Sequence, residues 1–353
     1  MASINFVTHH KDFAAILGSS PRSAQLLAVD ESADPQQLYH EACVYHAPSK
    51  SVFVTSNQIK TSRTTHTDNG KEVKLFRIHD SQTGRARVED ITPPALADSM
   101  LNGGVNFGPS SLLMCAQGSS DPEDLSGLIA LTLDDSASPK STFSSITPVV
   151  TSFHGKPFNS VNDVVIDPVD GAIWFTDPCY GYHQQCRPAP QLPNQVYRFD
   201  PRTKSIRAVA DGFSRPNGIC FSPDAKVVYI TDTGAIHGAA NVPVDTAGPS
   251  HIYAFDVQRT DKGGVFLANR RLFAYAPGMF PDGIKCDMNG NVYSGCGDGI
   301  EVWSPDGMLL GTIEVPGGVA NFCFGEEGDV FICNETKFFK VKLEGARGAL
   351  LGI

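Results

Sequence analysis

One hairpin, written six times, constrains this chain more than any other feature of it. The stretches "HEACVYHAPSKSVFVTS" (40–56), "NGGVNFGPSSLLMCAQ" (102–117), "NDVVIDPVDGAIWFTD" (162–177), "NGICFSPDAKVVYITD" (217–232), "DGIKCDMNGNVYSGC" (282–296) and "NFCFGEEGDVFICN" (321–334) share a layout. Each has a polar head, a short apolar run, a turn of Gly, Pro, Asp, Asn or Ser, and a second run of β-branched and aromatic residues. The second runs begin at Val52, Leu112, Ile173, Val228, Val292 and Val330, at separations of 60, 61, 55, 64 and 38 residues. Every gap but the last has room for two further strands. Three of these are visible as alternating segments: "QVYRFDP" (195–201), "HIYAFDV" (251–257) and "GIEVWSPDG" (299–307). Internal repeats of this kind, with no helical period in mid-chain, predict an all-β fold. The expected form is one domain over 1–353, a six-bladed β-propeller with four-stranded antiparallel blades around a central channel. The 33 glycines and 24 prolines suit that many tight turns. The short last interval predicts ring closure by a strand from the N-terminal segment 1–37, with a helical turn near "HKDFAAILG".

The heads carry the functional signal. Glu41, Asn102, Asn162, Asn217, Asp282 and Asn321 precede their second runs by 11, 10, 11, 11, 10 and 9 residues. In a propeller the first strand of each blade lines the channel, so a fixed offset becomes a fixed height around one axis. All six heads carry a side-chain oxygen and two are carboxylates. That donor set suits a hard divalent cation, Ca2+ first, with Mg2+, Mn2+ and Zn2+ as alternatives; no thiolate or imidazole stands at a head position. The bland reading is that Asn-Gly and Asp-Gly at 102, 217 and 282 are turns. Turns alone would not require an amide or carboxylate in register in every unit.

A formal net charge of −10 disfavours a nucleic-acid or anionic-membrane partner. No run of about 18 apolar residues reads as a membrane span. The opening "MASINFVTHHKDF" has no basic stretch followed by an apolar one, so a cytoplasmic protein is expected, or a secreted one if this start is processed. Nine scattered cysteines without C-x-x-C read as reduced thiols, with Cys179 and Cys186 close enough in sequence to bridge in an oxidising compartment.

The segments "NSVNDVVIDPVDGAIWFTDPCYG" (159–181), "RPNGICFSPDAKVVYITDTG" (215–234) and "PDGIKCDMNGNVYSGC" (281–296) resemble the gluconolactonase and senescence-marker-protein (regucalcin) family, nearest to its fungal lactonohydrolases. The resemblance runs from about Tyr39 to Asn334. It implies a six-bladed propeller that opens small-molecule lactones with one catalytic divalent metal, usually calcium. Carried over by motif, Glu41, Asn217 and Asp282 are the metal ligands, Asn162 a ligand or a substrate contact, and Asp282 also the base or nucleophile. Two departures bear on the substrate: Gln117 in "CAQG" stands where many relatives have histidine, and "HEACVY" lacks the usual Gly-Pro.

The expected chemistry is metal-assisted lactone hydrolysis with Asp282 as base. Asn102, Asn162, Gln117, Asn321, His154 and Tyr180 (in the loop "TDPCYGYH") are the candidate substrate contacts. No G-x-S-x-G, H-E-x-x-H, P-loop or G-x-G-x-x-G offers a competing apparatus. The rival readings are an organophosphate or other ester hydrolase, a recruited biosynthetic enzyme on the same metal site, and a non-catalytic binding propeller.

Overall fold

A computed structural model describes residues 4–19, 23–67, 69–134, 142–239 and 242–349. Six four-stranded antiparallel blades form in chain order, each stepping outward from the axis. The innermost strands are Glu41–His46, Leu101–Asn106, Val164–Ile166, Pro216–Phe221, Ile284–Cys286 and Phe322–Phe324. The three alternating segments read from the sequence become third strands, Gln195–Asp200, His251–Arg259 and Gly299–Trp303.

Why the inner strands are apolar for runs is visible in the core. The buried side chains fall into six clusters, one at each junction between neighbouring blades. Phe53 and Leu112 meet between blades one and two, Leu113 and Ile173 between two and three, and Trp174 and Phe221 between three and four. Tyr229 and Ile284, Tyr293 and Phe322, and Tyr45 and Phe331 complete the circuit. Both faces of each sheet are therefore buried, and strict alternation is lost. At about 1.5–3 kcal/mol for each large side chain removed from water, these junctions are the main stabilising term.

Closure uses the N-terminal segment twice. Ala24–Val29 pairs with Lys337–Lys342 as the outer strand of blade six. Asn5–Thr8 also pairs with Leu309–Glu314, giving blade five a fifth strand that the sequence did not announce. Between them the helix Phe13–Leu17 wedges into the junction of blades five and six. Phe13 is fully buried and fits because residue 311 is glycine: a Cβ there would lie 2.3 Å from the Phe13 ring. At the other seam, blade one meets blade six through Tyr39 against Phe338 and Cys43 Sγ 3.6 Å from Cys323 Sγ. All nine cysteines are free, Cys179 and Cys186 included.

Candidate functional site

Each head residue is placed by its neighbours' backbone. The Thr55 hydroxyl donates to the Asn102 carbonyl (3.1 Å), that of Thr176 to the Asn217 carbonyl (2.7 Å), and that of Thr231 to the Asp282 carbonyl (3.0 Å). A threonine on the second strand of one blade thus holds the head of the next. The glycines that follow three heads serve the same contact. A Cβ on Gly103 would lie 2.4 Å from the Asn162 carbonyl oxygen, and one on Gly218 2.3 Å from that of Asp282. At Gly283 it would lie 2.3 Å from Asn321 Oδ1. Asn102-Gly103 and Asn217-Gly218 lie on inner strands and Asp282-Gly283 just before one, and all three are close approaches of adjacent blades. Gly218→Ala should therefore displace Asp282 and cut activity sharply in a steady-state assay, without reaching the cavity itself.

A second device recurs in blades three and four. Asp177 accepts the Asn159 and Ser160 N–H groups (3.0 and 2.8 Å), and Asp232 accepts those of Ser214 and Arg215 (2.9 and 2.7 Å). These carboxylates end "FTD" and "ITD" and clamp the segments that deliver Asn162 and Asn217. Asp232→Ala strands the buried Arg215 N–H and frees the part-buried Ser214 N–H, and is expected to cost about 1–3 kcal/mol, measurable by denaturant unfolding.

The heads and the connecting loops enclose a cavity of about 260 Å³ at one end of the channel. Glu41, Asn102, Asn162, Asn217 and Asp282 line its floor, and Tyr180 and Gln184 lie on its wall. Asn321 is not in the lining; its Nδ2 donates to Glu41 Oε2 at 2.7 Å and fixes that carboxylate from behind. Gln117 is buried outside the lining. His154 sits in the turn between Ser152–Phe153 and Lys156–Pro157, edge-on to the Phe153 ring, also outside it. For these three candidates, then, the geometry gives no direct approach to the cavity. That short hairpin, inserted ahead of Asn162, carries His154 away from the line of the strand.

Six lining residues were not among the sequence candidates: His40, Asn57, Gln184, Ile236, Gly238 and Glu335. His40 Nδ1 lies 2.7 Å from Glu335 Oε1, and Asn57 Nδ2 is 3.5 Å from the other oxygen. Gln184 joins three loops over the mouth, accepting from Gln58 Nε2 (2.8 Å) and donating to the Gly238 carbonyl (3.2 Å). His40 and Glu335 are 295 positions apart, so no local pattern could have paired them.

The electrostatics of the floor are those of crowded acids. Burial first, then the neighbouring Glu41 carboxylate, pushes Asp282 well above the usual carboxylate range. Burial likewise raises Glu41, although His40 and the Asn321 amide pull the other way. Burial opposes charge on His40, but the Glu335 carboxylate outweighs it and lifts the ring to about 10. Below, Asp163 is raised by burial and faces Lys285, whose ammonium it favours. If all three axial carboxyls ionise, the Lys285 ammonium leaves two negative charges, the deficit a dication fills. Asn102 Oδ1, Asn162 Oδ1 and Asp282 Oδ1 are buried without a hydrogen-bond partner among the described residues. Unpaired buried oxygens, two amides and two carboxyls fit a hard cation and not a soft one.

A different acidic group stands on the surface, where ligand atoms of His66, Asp98 and Asp124 lie within 4.8 Å of one another. Its donors are already engaged, Asp98 by both terminal nitrogens of Arg63 and Asp124 by His66 and Ser119.

Residues 122–333 match the family model described as the SMP-30/gluconolactonase/LRE-like region. The chain belongs to this SMP-30/gluconolactonase family. Lactonohydrolase oryL of Aspergillus oryzae is 36% identical over 51% of this chain and 43% of its own length. A gluconolactonase of Zymomonas mobilis is 33% identical over 53% of this chain and 51% of its own. The chain thus spans about half the length of the curated relatives it matches. The solved gluconolactonase of Xanthomonas campestris superposes with a TM-score of 0.59 at 26% identity, over 92% of this SMP-30/gluconolactonase-family chain and 98% of that one. The family match covers the heads Asn162, Asn217, Asp282 and Asn321, while Glu41 and Asn102 lie before it.

Proposed function

We propose that the protein is a divalent-metal-dependent lactonase, with Glu41, Asn162, Asn217 and Asp282 holding the ion and calcium the preferred one. The observation that carries this reading is the meeting of those four side chains around one cavity, with Asn162 Oδ1 and Asp282 Oδ1 buried and unpartnered among the described residues. Relatives named lactonohydrolase and gluconolactonase support the reaction type. When bound, such an ion polarises the lactone carbonyl and offsets negative charge that develops on its oxygen.

The chain's own residues supply the rest. Asp282, made more basic by burial and by Glu41, takes a proton from water. The water oxygen bonds to the acyl carbon, the ring C–O bond breaks, and the proton passes to the departing alkoxide, leaving a hydroxy acid. Asn102 and Tyr180 contact the substrate from the floor and wall. His40, Asn57 and Gln184 border the same space with polar groups, so a substrate bearing hydroxyls finds partners there.

The test is a hydrolysis panel of aldonolactones, aromatic lactones and phosphotriesters, before and after chelation and with Ca2+ restored. Metal-reversible turnover confined to lactones supports the proposal. Preferential turnover of phosphotriesters would transfer the site to another ester class, and no turnover of any substrate would favour a binding propeller.

A further inference from the structure

Blade five carries a second pair of acids, outside the cavity, that lactone hydrolysis leaves unused. Glu301 is 0% exposed. Its Oε1 accepts the Gly278 N–H at 2.6 Å, while Oε2 has no hydrogen-bond partner among the described residues. Asp298 bears on the same glycine: a Cβ on Gly278 would lie 2.0 Å from Asp298 Oδ1, and that oxygen is also buried and unpartnered. The Gly278 carbonyl points at the same turn, since a Cβ on Gly297 would lie 2.7 Å from its oxygen. Two unpartnered carboxylate oxygens and a carbonyl therefore gather at one residue.

Glu314 adds a further negative charge beside Asp298, and the His9 side chain, which opposes it, has its Nε2 3.1 Å from the Thr312 hydroxyl. Burial lifts Glu301 to about 8, and the Asp298 carboxyl adds to the rise despite the Gly278 N–H. A fully buried carboxyl with a free oxygen is costly without a partner. The gathered oxygens are all hard donors, and the Cys296 thiol lies close enough for both acids to push it up.

We propose that Asp298, Glu301 and the Gly278 carbonyl form a second hard-cation site of the calcium type, separate from the axial one. Its consequence is positional. Gly278 opens the segment Gly278-Met279-Phe280-Pro281 that runs directly into Asp282. Met279 and Phe280 are both held in left-handed backbone (φ 63° and 56°), which side-chain-bearing residues adopt only at a cost. An ion at Gly278 anchors the start of this strained approach and so steadies Asp282.

Equilibrium dialysis of the chelator-stripped, full-length protein against Ca2+ tests the site. The expected stoichiometry is two ions per chain, falling to one in Glu301→Gln and to a different one in Glu41→Gln. Asp298→Asn, a change at a less buried position, weakens the second ion about tenfold or more and serves if Glu301→Gln does not fold. One ion in the wild type, lost with Glu41→Gln and untouched by Glu301→Gln or Asp298→Asn, overturns the proposal; the two acids then share a proton. One ion lost with Glu301→Gln and kept in Glu41→Gln would sustain this site while sinking the axial reading on which the proposed function rests.

Discussion

On the proposed reaction, Asp282→Asn is expected to lower lactone turnover by about 10²–10⁴-fold, the range for losing a positioned base. The fold survives, because the Asp282 backbone, not its carboxyl, makes the structural contacts. Its N–H donates to the Gly295 carbonyl at 2.9 Å, and its carbonyl accepts from Thr231. The same change has an opposite effect on the metal-free protein. Asp282 and Glu41 raise each other's proton affinity in a buried site, so replacing one with an amide relieves repulsion. Metal-free Asp282→Asn should therefore melt above metal-free wild type while being nearly inactive with metal. A variant that keeps full turnover would remove Asp282 as the base. One that melts far below the wild type would show that the carboxyl is structural.

On the proposed metal site, chelation is expected to have the second large effect. At a ligand concentration a thousand times its Kd, a bound ion stabilises the native state by about 4 kcal/mol, and chelation should forfeit that together with catalysis. The loss is pH-dependent, and its sign follows from the buried acids. Burial raises Asp177 to about 7 against two backbone N–H groups that lower it, and Glu301 to about 8. A carboxyl whose folded-state value lies above its unfolded one holds its proton more tightly when folded. Its contribution is fully present below the unfolded value, near 4, and is lost as pH rises through 7 to 8. For fully buried groups the total is on the order of a few kcal/mol. Differential scanning calorimetry of the stripped protein should show the melting temperature falling between pH 5 and 8. Calcium should restore stability most at the alkaline end, where the ligands are ionised. A melting temperature that climbs over that interval in chelator would contradict the charge assignment.

The sequence showed the blades because each must bury both faces against its neighbours, and that demand repeats an apolar run at a regular interval. It showed the heads because a propeller turns a constant offset into a constant height. Glu41, Asn102, Asn162, Asn217 and Asp282 came together on that basis alone. Asn321 followed the same spacing yet faces Glu41 instead of the cavity, a difference of side-chain direction that spacing does not encode. The glycines after three heads look like turn residues because turns and close backbone approaches exclude a side chain for different reasons and leave the same letters. His40 with Glu335 and Gln58 with Gln184 were illegible for another cause: each pair joins segments far apart in the sequence, and only the closed ring brings them together. The Asn5–Thr8 strand was missed because four residues are too few to establish a period.

The account turns on one shared ion. A crystal structure of the calcium-loaded protein, with the ion located by anomalous scattering, should place it about 2.3–2.6 Å from oxygens of Glu41, Asn162, Asn217 and Asp282. An ion bound elsewhere on the chain, with those four side chains left to water, would contradict it.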